Sequence, residues 1–274
     1  MIYHYTSVDT LSLILQSNRI RFNRLDRVRD LSEARTSQGV EFGTILFVSC
    51  WSCESVESIP LWEISALSFT GVRIGLPDYP FKLSEMKPPD SWNWVSEGEV
   101  LSPIPFDEVF TDSHLILPAF LDRSKFAGDV QYVDDIQKAF DSAVSWRSGG
   151  DGCTSLQIRD PFSLARMKSK YYAFEKEYRF VLVILPGLPI PADGPGNPEY
   201  TRRFPNHLIQ CLQAGKGPDL QWLDVELDAQ ARREMEIVVG PCVSAGQQQF
   251  LDRLKREHGF QMRQSDLSGT IRCP

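Results

Sequence analysis

Apolar positions along the chain switch between the two-residue period of a strand and the three-to-four-residue period of a helix, in interleaved order. Ile2 to Tyr5 is a short aromatic strand. Thr6 with Asp9 reads as a capping box, and Leu11, Ile14 and Leu15 form one helical face ending near Asn18. Ile20 and Phe22 alternate with Arg19, Arg21 and Asn23, a half-exposed strand. In the polar stretch Arg24 to Gly43 a helix is expected around Leu31 to Ser37. Thr44 to Cys50 is a buried strand continued by Trp51 and Ser52, and Ile59 to Phe69 is a helix opened by Pro60. Gly71 then turns into the strand VRIGL.

Asp78 to Asp112, rich in proline and acids and carrying Trp92 and Trp94, is a long irregular excursion. His114 to Phe120 is apolar and fits strand or helix; Val130 to Val133 is a strand, and Asp134 caps a helix with Ile136 and Phe140 inward. A helix from Pro161 to about Tyr172 runs into two glutamates and the greasy strand that ends KSKYYAFEKEYRFVLVIL. Alternation from Glu175 places Glu175, Glu177, Arg179 and Val181 on one strand face. Pro186 to Pro198 is a surface loop, and His207 lies in a further loop before LIQCL. Leu220 to Leu227 and Glu236 to Val239 are strands; Ser244 and Gln247 box the start of a helix that Gly259 closes, before a last strand from Phe260 to Arg263. No repeat or linker divides this series, so it predicts a single α+β domain over residues 1–274, with a mixed, strongly bent sheet and peripheral helices.

Composition adds bounds. A 42% hydrophobic, 24% charged chain is that of an ordinary soluble protein, and no run is apolar enough to cross a membrane. The expectation is a cytoplasmic protein. Net charge of −7 argues against generic phosphate binding, although six arginines fall between Arg19 and Arg35. Of the six cysteines, Cys50 and Cys53 form a CxxC with no second pair or matching histidines nearby. No metal is expected, and the cysteines are read as reduced thiols.

Two carboxylates one strand pitch apart repel, so one holds a proton or pairs with Arg179 or Lys170. The same residues also fit a charged strand entrance whose ion pairs set register. His4, directly before Thr6 and a helix start, offers donors to an anion; a buried histidine tied to a backbone carbonyl fits it equally. There is no P-loop, GxGxxG or GxSxG, and no cluster of carboxylates with a lysine as a metal-dependent nuclease needs. Metal-free chemistry on a phosphate-bearing ligand suits these residues best.

Several strings, in order along nearly the whole chain, resemble one bacterial family, that of domain of unknown function twenty-nine seventy-one: YHYTSVDTLSLILQSNRIRF, RVRDLSEA, FVSCWS, LWEISALSFTGVRIGLP, VQYV, KSKYYAFEKEYRF and EIVVGP. A weaker resemblance is to ADP-ribosyltransferases, through histidine on a first strand, serine or an aromatic on a middle strand and glutamate at a late strand. That resemblance implies NAD as substrate. His4 and Thr6 would hold the nicotinamide ribose, Ser49, Trp51 or Ser52 would support the nicotinamide pocket, and Glu177 would be catalytic with Glu175 orienting the acceptor. Arg21 and the basic stretch Arg19 to Arg35 would serve the NAD pyrophosphate or a nucleic-acid target. It further implies a nucleic-acid or protein acceptor, a toxin or phage-defence role and a possible antitoxin or immunity protein. The alternative is a non-catalytic module binding a nucleotide or partner in the same cleft.

Overall fold

Two strands whose residues are almost all buried, LFVSCWS and EYRFVLVILP, form the centre of the computed structural model. It describes residues 1–30, 33, 36, 37, 39–92, 98–148 and 154–273. The elements used below are β1 (Ile2–Thr6), α1 (Val8–Ser17), β2 (Arg19–Arg24), β3 (Leu46–Ser52), α2 (Ile59–Ile64), β4 (Val72–Leu76), β5 (His114–Ile116), β6 (Ala127–Asp129), β7 (Glu177–Pro186), α3 (Pro198–Gln213), β8 (Trp222–Glu226), β9 (Glu236–Val239), α4 (Ala245–His258) and β10 (Gln261–Gln264). One ten-stranded sheet runs β6-β7-β3-β1-β4-β9-β10, with β5 on β7 and β8 on β2, which joins β3. All its pairs are antiparallel except β9 with β10, so the fold is α+β with a mixed, largely antiparallel sheet.

Alternation decides what each face buries. Phe180, Leu182 and Ile184 of β7, with Phe47 and Trp51 of β3, pack with α1 and α4 in the main core. On the other face Val181, Val183 and Val48 pack against Phe140, Phe162 and Leu212. Farther along that second face, Tyr5 and Val238 pack with Leu61 and Trp62 of α2. Between these two apolar clusters the sheet presents polar residues.

The β3 strand is the pivot. One edge pairs with β7 from Leu46–Val183 to Ser52–Glu177. The other edge is divided: β1 takes Ser52 through Tyr3, and β2 takes Phe47 and Val48 through Arg24 and Asn23. Among the described residues no strand pairs with Ser49 to Trp51 on that edge, so the sheet parts there.

Several expectations need correction. Ser7, not Thr6, caps α1, its hydroxyl accepting from the Thr10 N–H; Thr6 is spent in the β1–β4 ladder opposite Val72. α2 ends at Ile64, and Leu67, Ser68 and Phe69 follow with φ of 50°, 52° and 69°. The Pro161 helix stops at Leu164, Met167–Ser169 is a strand parallel to Gln131–Val133, and Lys170–Glu175 is a 3-10 turn. Asp135 rather than Asp134 caps the next helix, Ile136–Ala143. His207 sits inside α3, which was expected as loop. The helix expected at Leu31 to Ser37 falls largely outside the described residues, and Thr36–Ser37 pairs as strand with Val40–Glu41. Trp92 packs edge-on against Phe106, while Trp94 lies outside the described residues. Cys242 and Cys273 form a disulfide, so the reading of reduced thiols fails for this pair; Cys50, Cys53 and Cys211 are free. Among the described residues no helix is long and apolar enough to cross a membrane.

Candidate active site

The polar patch between the two apolar clusters opens into a cleft of about 500 Å³. The start of β7 forms its floor and one wall. Glu177 faces the cleft because it stands opposite Ser52, and Arg179 follows on the same face opposite Cys50. The guanidinium grips the carboxylate with both arms, Nε to Oε1 at 2.9 Å and Nη2 to Oε2 at 3.0 Å. Such bidentate, charge-assisted pairs are the strong ones. Lys168 Nζ adds a third bond to Oε2 at 3.0 Å.

Lys168 is the hub of a larger cluster. Its ammonium also meets Glu175 at 2.5 Å and Glu33 at 3.4 Å. Glu33 reaches Arg179 Nη1 at 2.5 Å, and the same nitrogen donates to the Ala165 carbonyl at 2.7 Å. Glu33, Glu177 and Arg179 are 3%, 6% and 1% exposed, so these charges are held by one another rather than by water. Three carboxylates against two cations leave one surplus negative charge.

That imbalance splits the two glutamates. Burial pushes Glu177 up, but Arg179 and Lys168 outweigh it and bring its pKa to about 2. Burial also pushes Glu175 up, and there it prevails over Lys168, so Glu175 holds its proton to higher pH than an ordinary glutamate. Lys168 is disfavoured by burial yet raised overall by Glu177, Glu33 and Glu175. Glu177 is thus an anion at neutral pH beside a carboxyl that exchanges protons more easily.

The walls are aromatic. Tyr3 and Tyr5 come from β1, Tyr172 from the 3-10 turn, and Leu61 and Ile64 from α2. Lys168 Nζ lies 4.7 Å from the Tyr172 ring centroid. Arg29 stands at the rim, exposed, and donates to the Ile64 carbonyl at 3.3 Å.

A second chamber of about 330 Å³ opens where the sheet parts, lined by Thr10, Leu13 and Ile14 of α1 together with Ser49, Arg19 and Arg21. It shares His4, Cys50, Trp51 and Val28 with the main cleft. His4 Nδ1 is 2.9 Å from the Cys50 carbonyl, which the divided edge leaves without a strand partner among the described residues. A carbonyl only accepts, so Nδ1 carries the proton and Nε2 a lone pair. Burial lowers the His4 pKa and keeps this neutral form.

Most of the sequence-predicted residues therefore meet. Glu175, Glu177, His4, Trp51 and Ser52 line the main cleft, and Ser49 accepts from the Trp51 indole N–H at 3.0 Å in the second chamber. Arg21 also reaches only the second chamber; its guanidinium is committed to Asp224 at 2.8 and 2.9 Å and lies over Trp222. Thr6 is buried and lines neither. Lys170, named as a partner for the glutamates, pairs instead with Asp134. Carboxylates do cluster with a lysine, contrary to expectation, but the ammonium sits among them; among the described residues no group of histidine, cysteine or carboxylate side chains is arranged to hold a metal ion. Sequence reasoning missed Lys168, Glu33, Arg29 and the Tyr3/Tyr5 wall. The alternation of Tyr3 and Tyr5 around His4 was the available signal for that wall.

Comparison of the chain with models of protein families, with curated proteins and with solved structures gives no match.

Proposed function

We propose that the protein cleaves the bond between nicotinamide and ribose in NAD and passes the ADP-ribose to a nucleic acid, a protein or water. The observation that carries this reading is the pair of neighbouring chambers that share His4, Val28, Cys50 and Trp51 in their lining, with an ionised, buried carboxylate on the floor of the larger one. Each chamber has the size of a small-ligand site, and together they suit a ligand with two rings joined by a polar bridge. Aromatic walls and a surplus negative charge favour a cationic pyridinium ring in the main cleft. Arg29 is the cation better placed for the bridging pyrophosphate, since Arg21 is already paired with Asp224.

The chemistry follows from the charges. As the nicotinamide leaves with the bonding pair, positive charge grows on the ribose, and a fixed anion stabilises it without a metal. Glu177 Oε1 accepts from Arg179 Nε, and a ribose hydroxyl would share this carboxylate with Arg179, Lys168 and the Cys50 thiol. Glu175 takes the proton of the attacking nucleophile and releases it to solvent. Kinship with the bacterial family of unknown function, a strongly bent ADP-ribosyltransferase-like sheet, a cytoplasmic toxin or phage-defence role and an antitoxin partner belong to the same proposal.

A second reading, a non-catalytic module binding a nucleotide or a partner, is favoured by one specific observation. Every arm of Arg179 is engaged inside the protein, as in a cluster whose task is to fix the strand. Incubation with NAD labelled in both halves, with and without cell lysate, separates the two. Nicotinamide release that falls on the order of 100-fold in Glu177→Gln, with the variant still folded by circular dichroism, supports catalysis. NAD binding without release by wild-type protein supports the module.

A further inference from the structure

The C-terminal tail is tied to the wall of the cleft by a short path. Cys273 is exposed and bonded to Cys242, which is partly exposed just beyond β9. Cys242 N–H donates to the Phe69 carbonyl at 3.0 Å, and Gly240 N–H to Gly71 at 2.9 Å. The disulfide thus anchors on the turn where three successive non-glycine residues hold positive φ. Such a turn persists only where its surroundings over-determine it.

From the other side the tail supports α2. Ser265 Oγ and the Asp266 N–H both donate to the Glu57 carboxylate, which also accepts from the Trp62 indole at 3.0 Å. Leu267 packs on the cluster of Tyr5, Leu61 and Trp62. Trp62 stands edge-on to Tyr5, 5.0 Å between centroids, and Tyr5 and Leu61 line the cleft. Past Thr270, among the described residues, no backbone–backbone hydrogen bond holds the chain, and the disulfide is what ties residues 271–273 to the fold.

We propose that Cys242–Cys273 is a redox-sensitive latch on the cleft. Oxidised, it pins the tail behind α2 and fixes the Tyr5–Leu61 wall. A dithiol attacks the exposed bond: the protein S–S breaks, a disulfide forms in the reductant, and two electrons and two protons end on Cys242 and Cys273. The tail then frays, Glu57 loses its tail donors for part of the time, and the Leu67–Phe69 turn loosens. The latch is independent of what the cleft binds.

The test uses the purified protein before and after dithiothreitol. Peptide mapping after alkylation should label Cys242 and Cys273 only in the reduced sample. Hydrogen exchange of residues 57–71 should rise by about 10-fold or more on reduction, while the centre of β3 and β7 stays protected. Cys273→Ser should show the fast exchange without reductant and no further response to it. Alkylation of both cysteines without reductant, or equal exchange over 57–71 in the two samples, overturns the proposal. Because Cys273 is an exposed tail residue, its serine variant retains the fold; if reduction and Cys273→Ser disagree over 57–71, the latch is likewise rejected.

Discussion

The two walls of the cleft each rest on a buried carboxylate, and they are held by different physics. Glu177 is fixed by Arg179 and Lys168, two cations that share it with Glu33 and Glu175. Glu57 is fixed mostly by donors of N–H and O–H type, from Trp62, Ser265 and Asp266, with Arg263 at 3.3 Å on its exposed side. Burial pushes both carboxyls up and both end lower than usual, Glu177 through charge and Glu57 through hydrogen bonds to Ser265, Asp266 and Trp62. The difference teaches where movement is allowed. Displacing the β7 wall uncovers a charge in a dry interior, whereas displacing α2 exchanges neutral donors for water at small loss.

The comparison breaks most sharply at Arg179. Arg179→Met leaves Glu177 and Glu33 facing a single lysine, and the expected loss is about 3–5 kcal/mol in urea unfolding. A loss below about 1 kcal/mol would mean that the cluster relaxes to solvent and the β7 wall is no more rigid than the other.

Acid is the next lever. Glu177 titrates at about 2 in the folded chain against 4.5 for the ordinary group, so below pH 4.5 the unfolded chain takes up its proton first. Its stabilising contribution is complete above that pH and is lost as pH falls toward 2, at most about 3 kcal/mol in all. Glu175 runs the other way: its raised pKa favours the folded state as pH drops toward 4.5 and offsets part of the loss. Unfolding midpoints measured from pH 6 to 2.5 should therefore fall mainly below 4.5, and Glu177→Gln should flatten that limb.

Glu57→Gln probes the other wall. Gln keeps one acceptor and no charge, so the Ser265, Asp266 and Trp62 bonds weaken, with an expected loss of about 1–3 kcal/mol and faster exchange around α2. The response should stay local to that wall, with the start of β7 unchanged in exchange. Spread of the effect into β7 would show that the two walls are one unit.

How much of this was legible in the sequence follows the same divide. The β7 strand, β9 and α4 with its Ser244–Gln247 box were readable because local pattern and final environment agree. Glu177 announced itself as a charge entering an apolar strand; Glu175, expected on the same strand face, ends the 3-10 turn before it. Lys168 and Glu33 did not: Glu33 meets Lys168 and Arg179 from a distant segment, and although Glu175 and Glu177 are near Lys168 in the chain, nothing local distinguishes Lys168 from Lys170. Thr6 and Ser7 are equally good caps by type; the ladder with Val72 claims Thr6 and leaves the cap to Ser7. The Pro161 helix was cut short because Met167–Ser169 found a parallel partner in Gln131–Val133, a tertiary contact that outweighs helix propensity. α3 was missed because Pro205 interrupts its pattern, although Asn197 and Pro198 supply the capping signals.

The smallest effect is also the most discriminating for the α2 wall. Leu67 is 60% exposed and holds φ of 50°, a conformation unfavourable for an L side chain by about 1–2 kcal/mol. Its side chain is in none of the buried clusters, so Leu67→Gly removes strain while sacrificing little packing. Greater freedom of the unfolded glycine offsets about 0.4–1 kcal/mol of that relief. The net expectation is a gain of about 0.5–1 kcal/mol, read as a small rise in melting temperature. With the disulfide reduced the turn already relaxes part of the time, so the gain should shrink; a gain of equal size in both redox states would show that the turn is held by α2 and β9 alone, without help from the tail.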